Sequence, residues 1–306
     1  MKRILCLVIS FTLNVYAGQM NAYGRNLIVP KEEVAKQKVV LVVGGSRGIG
    51  LATAEHLAEQ GYRVYGSGTK PKQCSKKFHC LAIDIRDESS IGTAINHIIQ
   101  TEGRVDVVVN SAAVGIYGPA EEVTLAEAKR VFDVNVFGAM RVMNAVLPQF
   151  RKQGYGLIIN ISSMAAVDPV PGSDWYAASK YALEGLTESM ASYLPKHNIH
   201  LVLVEPGPVN TQFITETSKK GTRYLPDKPY GNMTEKVFDW HKDILSKGQD
   251  PNEVAKLIHA IIETPHPHLR YQTSPAMQKL AKRRYVDPTG NKARAEKQAI
   301  LKVLTE

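Results

Sequence analysis

Hydrophobic and polar positions divide the central part of the chain into alternating strand and helix patterns. Apolar runs rich in β-branched residues are typical of strands buried on both faces, and they occur in "KVVLVVGG", "YRVYGSG", "CLAIDI", "VDVVVNSAA", "GLIINISS", "HLVLVEPG" and "HLRYQT". Helical patterns separate them, in "LATAEHLAEQG", "ESSIGTAINHIIQTEG", about residues 123–150, residues 173–194 and "PNEVAKLIHAIIET". This alternation predicts an α/β fold in which right-handed crossovers build one doubly wound parallel sheet.

The pattern changes after Thr211. Residues 212–248 mix charged residues, Gly and Pro with Tyr224, Tyr230, Phe238 and Trp240, and they show no strand pattern. An insertion that follows the carboxyl end of a strand often covers a binding site. We therefore expect a single domain over residues 37–275, with a substrate lid at about residues 212–248 whose aromatic side chains pack against the domain.

Charge is concentrated at the carboxyl end of the chain. The 306 residues carry a formal net charge of +9, and residues 277–306 supply five of these charges, as eight basic against three acidic residues. No aromatic ladder or reading motif for nucleic acid accompanies them, so nucleic-acid binding is not expected. We predict that residues 276–306 form a basic, solvated C-terminal segment, which is a candidate for membrane association.

The amino-terminal residues resemble a signal peptide. "MKRILCLVISFTLNVYAGQ" has a basic start, an apolar run from Ile4 to Leu13, and small residues before a possible cleavage after Ala17. The run is too short to span a bilayer comfortably. A membrane-surface anchor and a start codon placed too early, with Met20 as the true start, are the alternatives. We treat residues 1–36 as a leader and N-terminal extension.

The three cysteines, Cys6, Cys74 and Cys80, lack zinc-site spacing. In an exported protein Cys74 and Cys80 could close a small loop, whereas in a reducing compartment they would be two thiols.

Glycines at the first strand–helix junction predict a phosphate-binding turn. The segment "VVGGSRGIG" places Gly44, Gly48 and Gly50 between the first strand and its helix. Glycine permits a tight turn and a close approach to a pyrophosphate, and the amino terminus of the helix attracts the negative charge. Because the motif lies within a βαβ pattern, it indicates a dinucleotide-binding site.

A second motif, "SDWYAASKYALEG", places Tyr176 and Lys180 four residues apart at the start of a helix. Residues at this spacing share one helix face, so the phenol and the ammonium can converge. The spacing alone is not specific, since Tyr224 and Lys228 repeat it in "YLPDK", where the intervening proline disfavours a helix.

Together the motifs resemble the short-chain dehydrogenase/reductase family over about residues 39–290. The resemblance implies a Rossmann-type fold and a catalytic tetrad. The family's serine lies thirteen residues before its tyrosine, which favours Ser163 over Ser162 in "INISS". Val43 and the "SAA" of residues 111–113 depart from the family's usual threonine and "NAG". The tetrad implied by the resemblance is Asn135, Ser163, Tyr176 and Lys180.

The resemblance also implies which residues contact a nicotinamide cofactor. Asp84 and Ile85, at the end of the third strand, match the pair that lines the family's adenine pocket. No metal site is expected. The implied contacts are Gly44, Ser46, Arg47, Gly48, Ile49, Gly50, Asp84, Ile85, Ser111, Ala112, Tyr176, Lys180, Pro206, Gly207, Val209 and Thr211.

The chemistry of the tetrad follows from the needs of ketone reduction, which delivers a hydride to carbon and a proton to oxygen. An ammonium beside a phenol stabilises the phenolate, so we expect Lys180 to lower the pKa of Tyr176, the general acid and base. Ser163 is expected to hold the carbonyl oxygen. Asn135 could anchor a water that carries the proton onward, or could only bridge helix backbone.

Several segments, among them "WYAASKYALEGL" and "VEPGPVNT", are similar to the 17β-hydroxysteroid dehydrogenase and photoreceptor-type retinol dehydrogenase branch of the family. This similarity implies a lipophilic, steroid-like or retinoid-like alcohol and its ketone or aldehyde, and a homo-oligomeric enzyme. The alternatives are a reductase of 3-oxoacyl thioesters and a nicotinamide-binding regulatory protein without turnover.

Local charge favours NADP(H), with NAD(H) as a possible second cofactor. The second strand ends "VYGSGTKPK" without the acidic residue that typically selects NAD, and Arg47 and Lys70 are bases near the expected 2′-phosphate. The need for a reduced cofactor pool favours the cytosol or a cytosol-facing membrane. Export through a signal peptide of residues 1–17 is the alternative.

Overall fold

The computed structural model describes residues 37–70, 75–223 and 225–284. Its strands are β1 (Val39–Val43), β2 (Arg63–Gly68), β3 (His79–Ala82), β4 (Val107–Asn110), β5 (Gly115–Tyr117), β6 (Gly156–Ile161), β7 (Ile199–Glu205), β8 (Ser218–Lys220) and β9 (Arg270–Gln272). Its α-helices are α1 (Gly48–Glu59), α2 (Glu88–Glu102), α3 (Leu125–Phe132), α4 (Ala139–Gln153), α5 (Asp174–Ala191), α6 (Met233–Ser246), α7 (Pro251–Ile262) and α8 (Pro275–Arg284).

Seven strands form one parallel sheet in the order β3-β2-β1-β4-β6-β7-β9. The sheet grows in one direction from β1 to β3 and in the other from β4 to β9. A crevice for ligands therefore opens between the carboxyl ends of β1 and β4, as expected at a topological switch point. The predicted Rossmann-type fold is confirmed.

The two faces of the sheet bury separate hydrophobic cores, which explains the continuous apolar strands. Along β1, Val39, Leu41 and Val43 belong to one core, whereas Val40 and Val42 belong to the other. The first core is completed by α2 and α4, and the second by α1 and α7. Because successive side chains of a strand point to opposite faces, every position of β1 must be apolar.

The long helix predicted over residues 123–150 is divided into three parts. A capping box between Thr124 and Glu127 begins α3, and a π-helix, Asp133–Gly138, joins α3 to α4. Apolar spacing does not distinguish this arrangement from one regular helix, because a π-turn adds a single residue. Such turns are frequent at functional sites.

The lid region contains a strand, so the prediction that it has none is wrong. β8 pairs in parallel with β5 and fastens the lid to the domain. The sequence of β8 is Ser-Lys-Lys, which has no apolar pattern, and pairing rather than side-chain burial defines it. The expected aromatic packing is present, since Tyr230, Phe238 and Trp240 contact a cluster around Tyr117. Tyr224 lies outside the described residues.

Helix α8 is solvated only on one side: its basic residues Lys279, Lys282 and Arg283 are exposed, whereas its apolar residues pack against the domain. Ala281 is buried, and Met277 and Leu280 pack beside Met164 and Val167. Basic residues dominate the composition of this helix, so composition alone does not predict the packing of its few apolar residues. Residues 1–36 and 285–306 lie outside the described residues, so the leader and the predicted domain boundaries stay predictions. No described helix is long and apolar enough to cross a membrane.

Candidate active site

The turn between β1 and α1 requires glycine for steric reasons. Gly44 has φ +81°, and a Cβ there would lie 2.7 Å from the backbone nitrogen of Ala112. A Cβ on Gly50 would overlap the carbonyl oxygen of Gly44. The bare backbone therefore allows α1 to begin directly at the crevice, where its amino terminus favours a negatively charged group.

A cavity of about 680 Å³ runs from this turn to the lid. Of the cofactor contacts implied by the resemblance, only Gly50 is absent from its wall, because it packs beneath the turn. A glycine cradle, a helix amino terminus and a long cleft fit a dinucleotide, so the residues present match the implied cofactor. The residues on the cavity wall are Gly44, Ser46, Arg47, Gly48, Ile49, Asp84, Ile85, Ser111, Ala112, Tyr176, Lys180, Pro206, Gly207, Val209 and Thr211.

Helix α5 and the turn after β6 bring three residues of the predicted tetrad together. Ser163 follows β6, and its hydroxyl accepts a hydrogen bond from the backbone N–H of Ala165. A further hydrogen bond joins Ser163 to the phenol of Tyr176. Two hydroxyl groups thus lie side by side at the cavity, where a carbonyl oxygen could contact both.

Lys180 lies one turn further along α5, under the same part of the cavity. Its ammonium donates a hydrogen bond of 2.9 Å to the carbonyl oxygen of Ile161, at the end of β6. Only 2 % of the residue is exposed. Burial lowers the pKa of Lys180 to about 8, although the nearby charge of Glu184 raises it. Lys180 is therefore protonated below pH 8 in this site.

The expected lowering of the pKa of Tyr176 by Lys180 is not seen. Burial raises the pKa of Tyr176 to about 12, and its hydrogen bond with Ser163 lowers the value only in part. The ammonium of Lys180 lies 6.0 Å from the centre of the tyrosine ring and is directed to Ile161. In the free protein, desolvation of the phenol thus outweighs the charge of Lys180.

Asn135 is buried at the π-helix and does not line the cavity. Its amide nitrogen donates to the carbonyl of Val114 at 2.9 Å and to the hydroxyl of Ser179 at 3.0 Å, and its amide oxygen accepts from the N–H of Val114 at 2.9 Å. Because both amide hydrogens are used, the side chain acts as a bridge. The expectation that it anchors a water through this amide is not supported.

Two arginines lie at the cofactor end of the cavity. Arg47 forms an ion pair of 2.8 Å with Glu216 of the lid, and both side chains are half-exposed. Arg86, which the sequence analysis did not single out, pairs with Asp84 at 2.6 Å. Hydrogen bonding from Arg86 holds the pKa of Asp84 below its usual range.

The lid end of the cavity is lined by aromatic rings. The ring of Tyr117 lies 6.2 Å from Tyr176 and 4.3 Å from His241, and Phe213 lies 5.6 Å from Tyr176. Nδ1 of His241 donates to the carbonyl oxygen of Val237 at 2.8 Å, which leaves Nε2 as an acceptor. Burial lowers the pKa of His241 to about 4, so the ring is neutral near pH 7. Among the described residues, no cluster of side chains suits a metal ion.

Comparison with known proteins identifies this arrangement. The family model "short chain dehydrogenase" matches residues 38–221, which is more than half of the chain. The chain belongs to the short-chain dehydrogenase/reductase family. Its members act on CH–OH groups with NAD(P), and this short-chain dehydrogenase/reductase is accordingly an oxidoreductase.

Several of its relatives carry the name of a lipid substrate. It is 33 % identical to "3-ketodihydrosphingosine reductase" of Bacteroides thetaiotaomicron, over 79 % of this chain and 90 % of the relative. It is 34 % identical to human "17-beta-hydroxysteroid dehydrogenase type 1", over 83 % and 82 %, and 34 % identical to human "Retinol dehydrogenase 8", over 84 % and 88 %. The crystal structure of a short-chain dehydrogenase from Streptomyces avermitilis matches with a TM-score of 0.73 at 27 % identity, over 88 % of this chain and 98 % of that one.

Several residues of this short-chain dehydrogenase site carry little signal in the sequence. Ser179 lies between Tyr176 and Lys180, and its hydroxyl donates to the carbonyl of Tyr176 at 2.7 Å while it accepts from Asn135. Tyr117 and His241 reach the cavity from β5 and α6. Only the position of Ser179 inside the "YAASK" motif could have indicated it. Tyr117 and His241 come together only when the lid packs against β5.

We predict that Asn135→Ala lowers the free energy of unfolding by about 2–3 kcal/mol, because it removes a buried amide and leaves the partly buried backbone groups of Val114 without these partners. Urea denaturation measures this change. Asn210→Ala, at an exposed asparagine, is the control and should change stability by less than about 0.5 kcal/mol. A loss below about 1 kcal/mol for Asn135→Ala would contradict the bridging role.

Proposed function

We propose that this enzyme is an NADP(H)-dependent oxidoreductase that interconverts a lipophilic alcohol and its ketone or aldehyde. The aromatic lid end of the cavity carries the proposal, because it places apolar surface next to Tyr176. Tyr117, Phe213 and Trp240 line this end, and Met277 and Leu280 extend it. Such a wall favours a substrate with a large hydrocarbon part.

The roles of the site residues follow from their positions. Ser163 and Tyr176 both present hydroxyl groups to the substrate oxygen, and Tyr176 gives up its proton as the alcohol forms. Lys180 supplies positive charge beneath the tyrosine as the phenolate develops. NADP(H), when bound, supplies or accepts the hydride. Its phosphates would lie at the glycine turn and the amino terminus of α1, next to Gly44 and Gly48.

The names of the relatives support this substrate class without choosing within it. They include a ketosphingoid reductase, a steroid dehydrogenase and a retinol dehydrogenase, and each of these three names refers to a lipid. A 3-oxoacyl thioester reductase is the alternative enzyme, and a regulatory protein without turnover is the alternative of another class. The proximity of Tyr176, Ser163 and Lys180 speaks for turnover.

We predict that purified enzyme oxidises NADPH with at least one lipid carbonyl, from a panel of 3-ketosphinganine, estrone, all-trans-retinal and a 3-oxoacyl thioester. Absorbance at the nicotinamide band measures the rate. Tyr176→Phe should lose about 10²–10⁴-fold in rate, because no neighbouring group replaces the phenol as proton donor. NADPH binding to this variant, followed by fluorescence, should be nearly unchanged, whereas Lys180→Ala should weaken both binding and turnover.

Tyr181→Phe is the matched control, since Tyr181 lies on the same helix and its hydroxyl donates to the carbonyl of Val167 at 3.2 Å. It should retain activity. Preference for the thioester alone would favour the alternative enzyme. NADPH binding without turnover of any substrate would favour the regulatory protein, and an active Tyr176→Phe enzyme would contradict the assigned role.

The preference for NADP(H) rests on the charges around the end of β2. Gly68, Thr69 and Lys70 line the cavity there. Arg47 is the N-cap residue of α1, which begins at the glycine turn, and a guanidinium can bind a phosphate with two parallel hydrogen bonds. The pairing of Arg47 with Glu216 means that a 2′-phosphate would compete with a lid carboxylate for this side chain. Because the pair is half-exposed, the competition is weak.

We predict that Arg47→Ala weakens NADPH binding about tenfold or more and NADH binding much less. Glu216→Gln is the opposite test, since it removes the competing carboxylate and should strengthen NADPH binding a few-fold without affecting NADH. Calorimetric titration with both cofactors measures these changes. A wild-type preference for NADH, or equal losses for both cofactors in Arg47→Ala, would show that Arg47 does not select the phosphate.

We also propose that the enzyme works in the cytosol or on a membrane facing it, where reduced cofactor is plentiful. Two features support the competing location after export: the signal-like residues 1–17, and the disulfide bond of Cys80, a state typical of oxidising compartments. Cell fractionation with amino-terminal sequencing decides between them. A protein that begins at Gly18 and is recovered outside the cytosol would overturn our proposal.

Homo-oligomerisation and membrane association through the leader or the basic C-terminal segment remain proposals. Phe137, which is 54 % exposed, supports the first, because exposed aromatic residues are enriched at protein interfaces. The second rests on charge and apolar pattern in residues 1–36 and 285–306, which lie outside the described residues.

A further inference from the structure

A partly buried cluster of charged side chains begins one helical turn after Lys180 on α5. The guanidinium of Arg270, on edge strand β9, contacts Glu184 of α5 at 3.0 Å and Glu205 at the end of β7 at 3.4 Å. A second nitrogen of Arg270 contacts Glu188 at 2.9 Å. Gln272 donates to Glu205 at 2.8 Å. The proposed mechanism does not use any of these groups.

The cluster holds three acidic side chains and one guanidinium, and two of the acidic side chains are almost fully buried. The side chains of Glu184 and Glu205 are 9 % and 0 % exposed, and one oxygen of each has no hydrogen-bond partner among the described residues. Two buried carboxylates close to one guanidinium cannot both remain ionised at low cost. Burial and the charge of Glu184 raise the pKa of Glu205. The guanidinium of Arg270 lies closer to Glu184, at 3.0 Å, than to Glu205, at 3.4 Å.

Glu184 also lies one helical turn after Lys180 on α5, so the two side chains share one helix face. Both are buried, and charges interact strongly where water is excluded. Lys180 has the carbonyl of Ile161 as a neutral partner, and Glu184 acts on it with an opposite charge. The titratable groups that face Lys180, directly or through this cluster, are Tyr176 and Glu184 on α5, Glu205 on β7 and Arg270 on β9.

We propose that Glu184 is a positioning residue of the reaction, whose negative charge, fixed by Arg270, keeps the buried ammonium of Lys180 protonated at neutral pH. The proposal rests on the proposed function in one respect, that Lys180 assists Tyr176. Without Glu184, burial would drive more of Lys180 to the neutral amine. The positive charge beneath the tyrosine would then be lost at a lower pH.

Titration of Lys180 in the cofactor-free protein tests the proposal without any substrate. Protein labelled with ¹³C at lysine Cε gives one NMR signal for each lysine, and Lys180→Met assigns the signal of Lys180. We expect Glu184→Gln to lower the titration midpoint of Lys180 by roughly one pH unit. Glu184→Met, which removes the charge without leaving a buried amide, is made in parallel. The test can then be carried out with whichever of the two variants folds.

Glu188→Gln is the matched control, because Glu188 contacts the same guanidinium but its side chain is 60 % exposed and lies one turn farther from Lys180. It should leave the midpoint within about 0.2 units of wild type, as expected for an exposed charge. An unchanged midpoint in the Glu184 variants, or an equal shift in Glu188→Gln, would overturn the proposal.

The pH dependence of kcat/KM for ketone reduction gives a second readout. Activity that needs protonated Lys180 falls as pH rises through its pKa, so this fall should occur at lower pH in Glu184→Gln and not in Glu188→Gln. An unmoved profile in both variants would overturn the catalytic part of the proposal. If the NMR midpoint shifts but no lipid ketone is reduced, the charge coupling stands and the proposed function fails. If ketones are reduced and the midpoint does not move, the proposed function stands and the charge coupling fails.

Discussion

The burial of one ammonium group constrains the whole active site. Lys180 is almost fully enclosed, which by itself disfavours its charge, yet its position under Tyr176 is useful only if it is charged. The fold offsets this cost with the carbonyl of Ile161, at the end of a central strand, and with the charge of Glu184. The hydrogen bond to Ile161 depends on how α5 packs at the end of β6, whereas Glu184 lies on α5 itself. The sheet and the helix thus each supply one partner.

The same helix is held from its other side by a chain of hydrogen bonds. Asn135 connects the backbone of Val114, before β5, to Ser179, which in turn bonds to the carbonyl of Tyr176. β5 also pairs with β8, so the lid, the π-helix and α5 are linked through one short strand. This linkage gives the lid a fixed base, while the ion pair between Arg47 of the glycine turn and Glu216 of the lid is half-exposed and weak.

Much of the site could be predicted from the sequence, because local constraints define it. Gly44 must adopt a positive φ. The continuous apolar strands predict a hydrophobic core on each face of the sheet. The spacing of Tyr176 and Lys180 places both on one face of a helix. Other features depend on residues far apart in the chain. The polar strand β8 exists through its pairing with β5, α8 packs through a few apolar residues among charges, and Arg270 meets Glu184 only after β9 joins the sheet. No local sequence pattern predicts contacts of this kind.

We propose that a lipid carbonyl bound at the lid receives a hydride from NADPH while Tyr176 protonates its oxygen. NADPH deuterated at both C4 positions of the nicotinamide, with mass spectrometry of the alcohol formed from a lipid ketone, tests this proposal. We expect one deuterium on the carbinol carbon with the wild-type enzyme, and formation of labelled alcohol about 10²–10⁴-fold more slowly with Tyr176→Phe. Unlabelled alcohol, or labelled alcohol formed equally well by Tyr176→Phe, would contradict it.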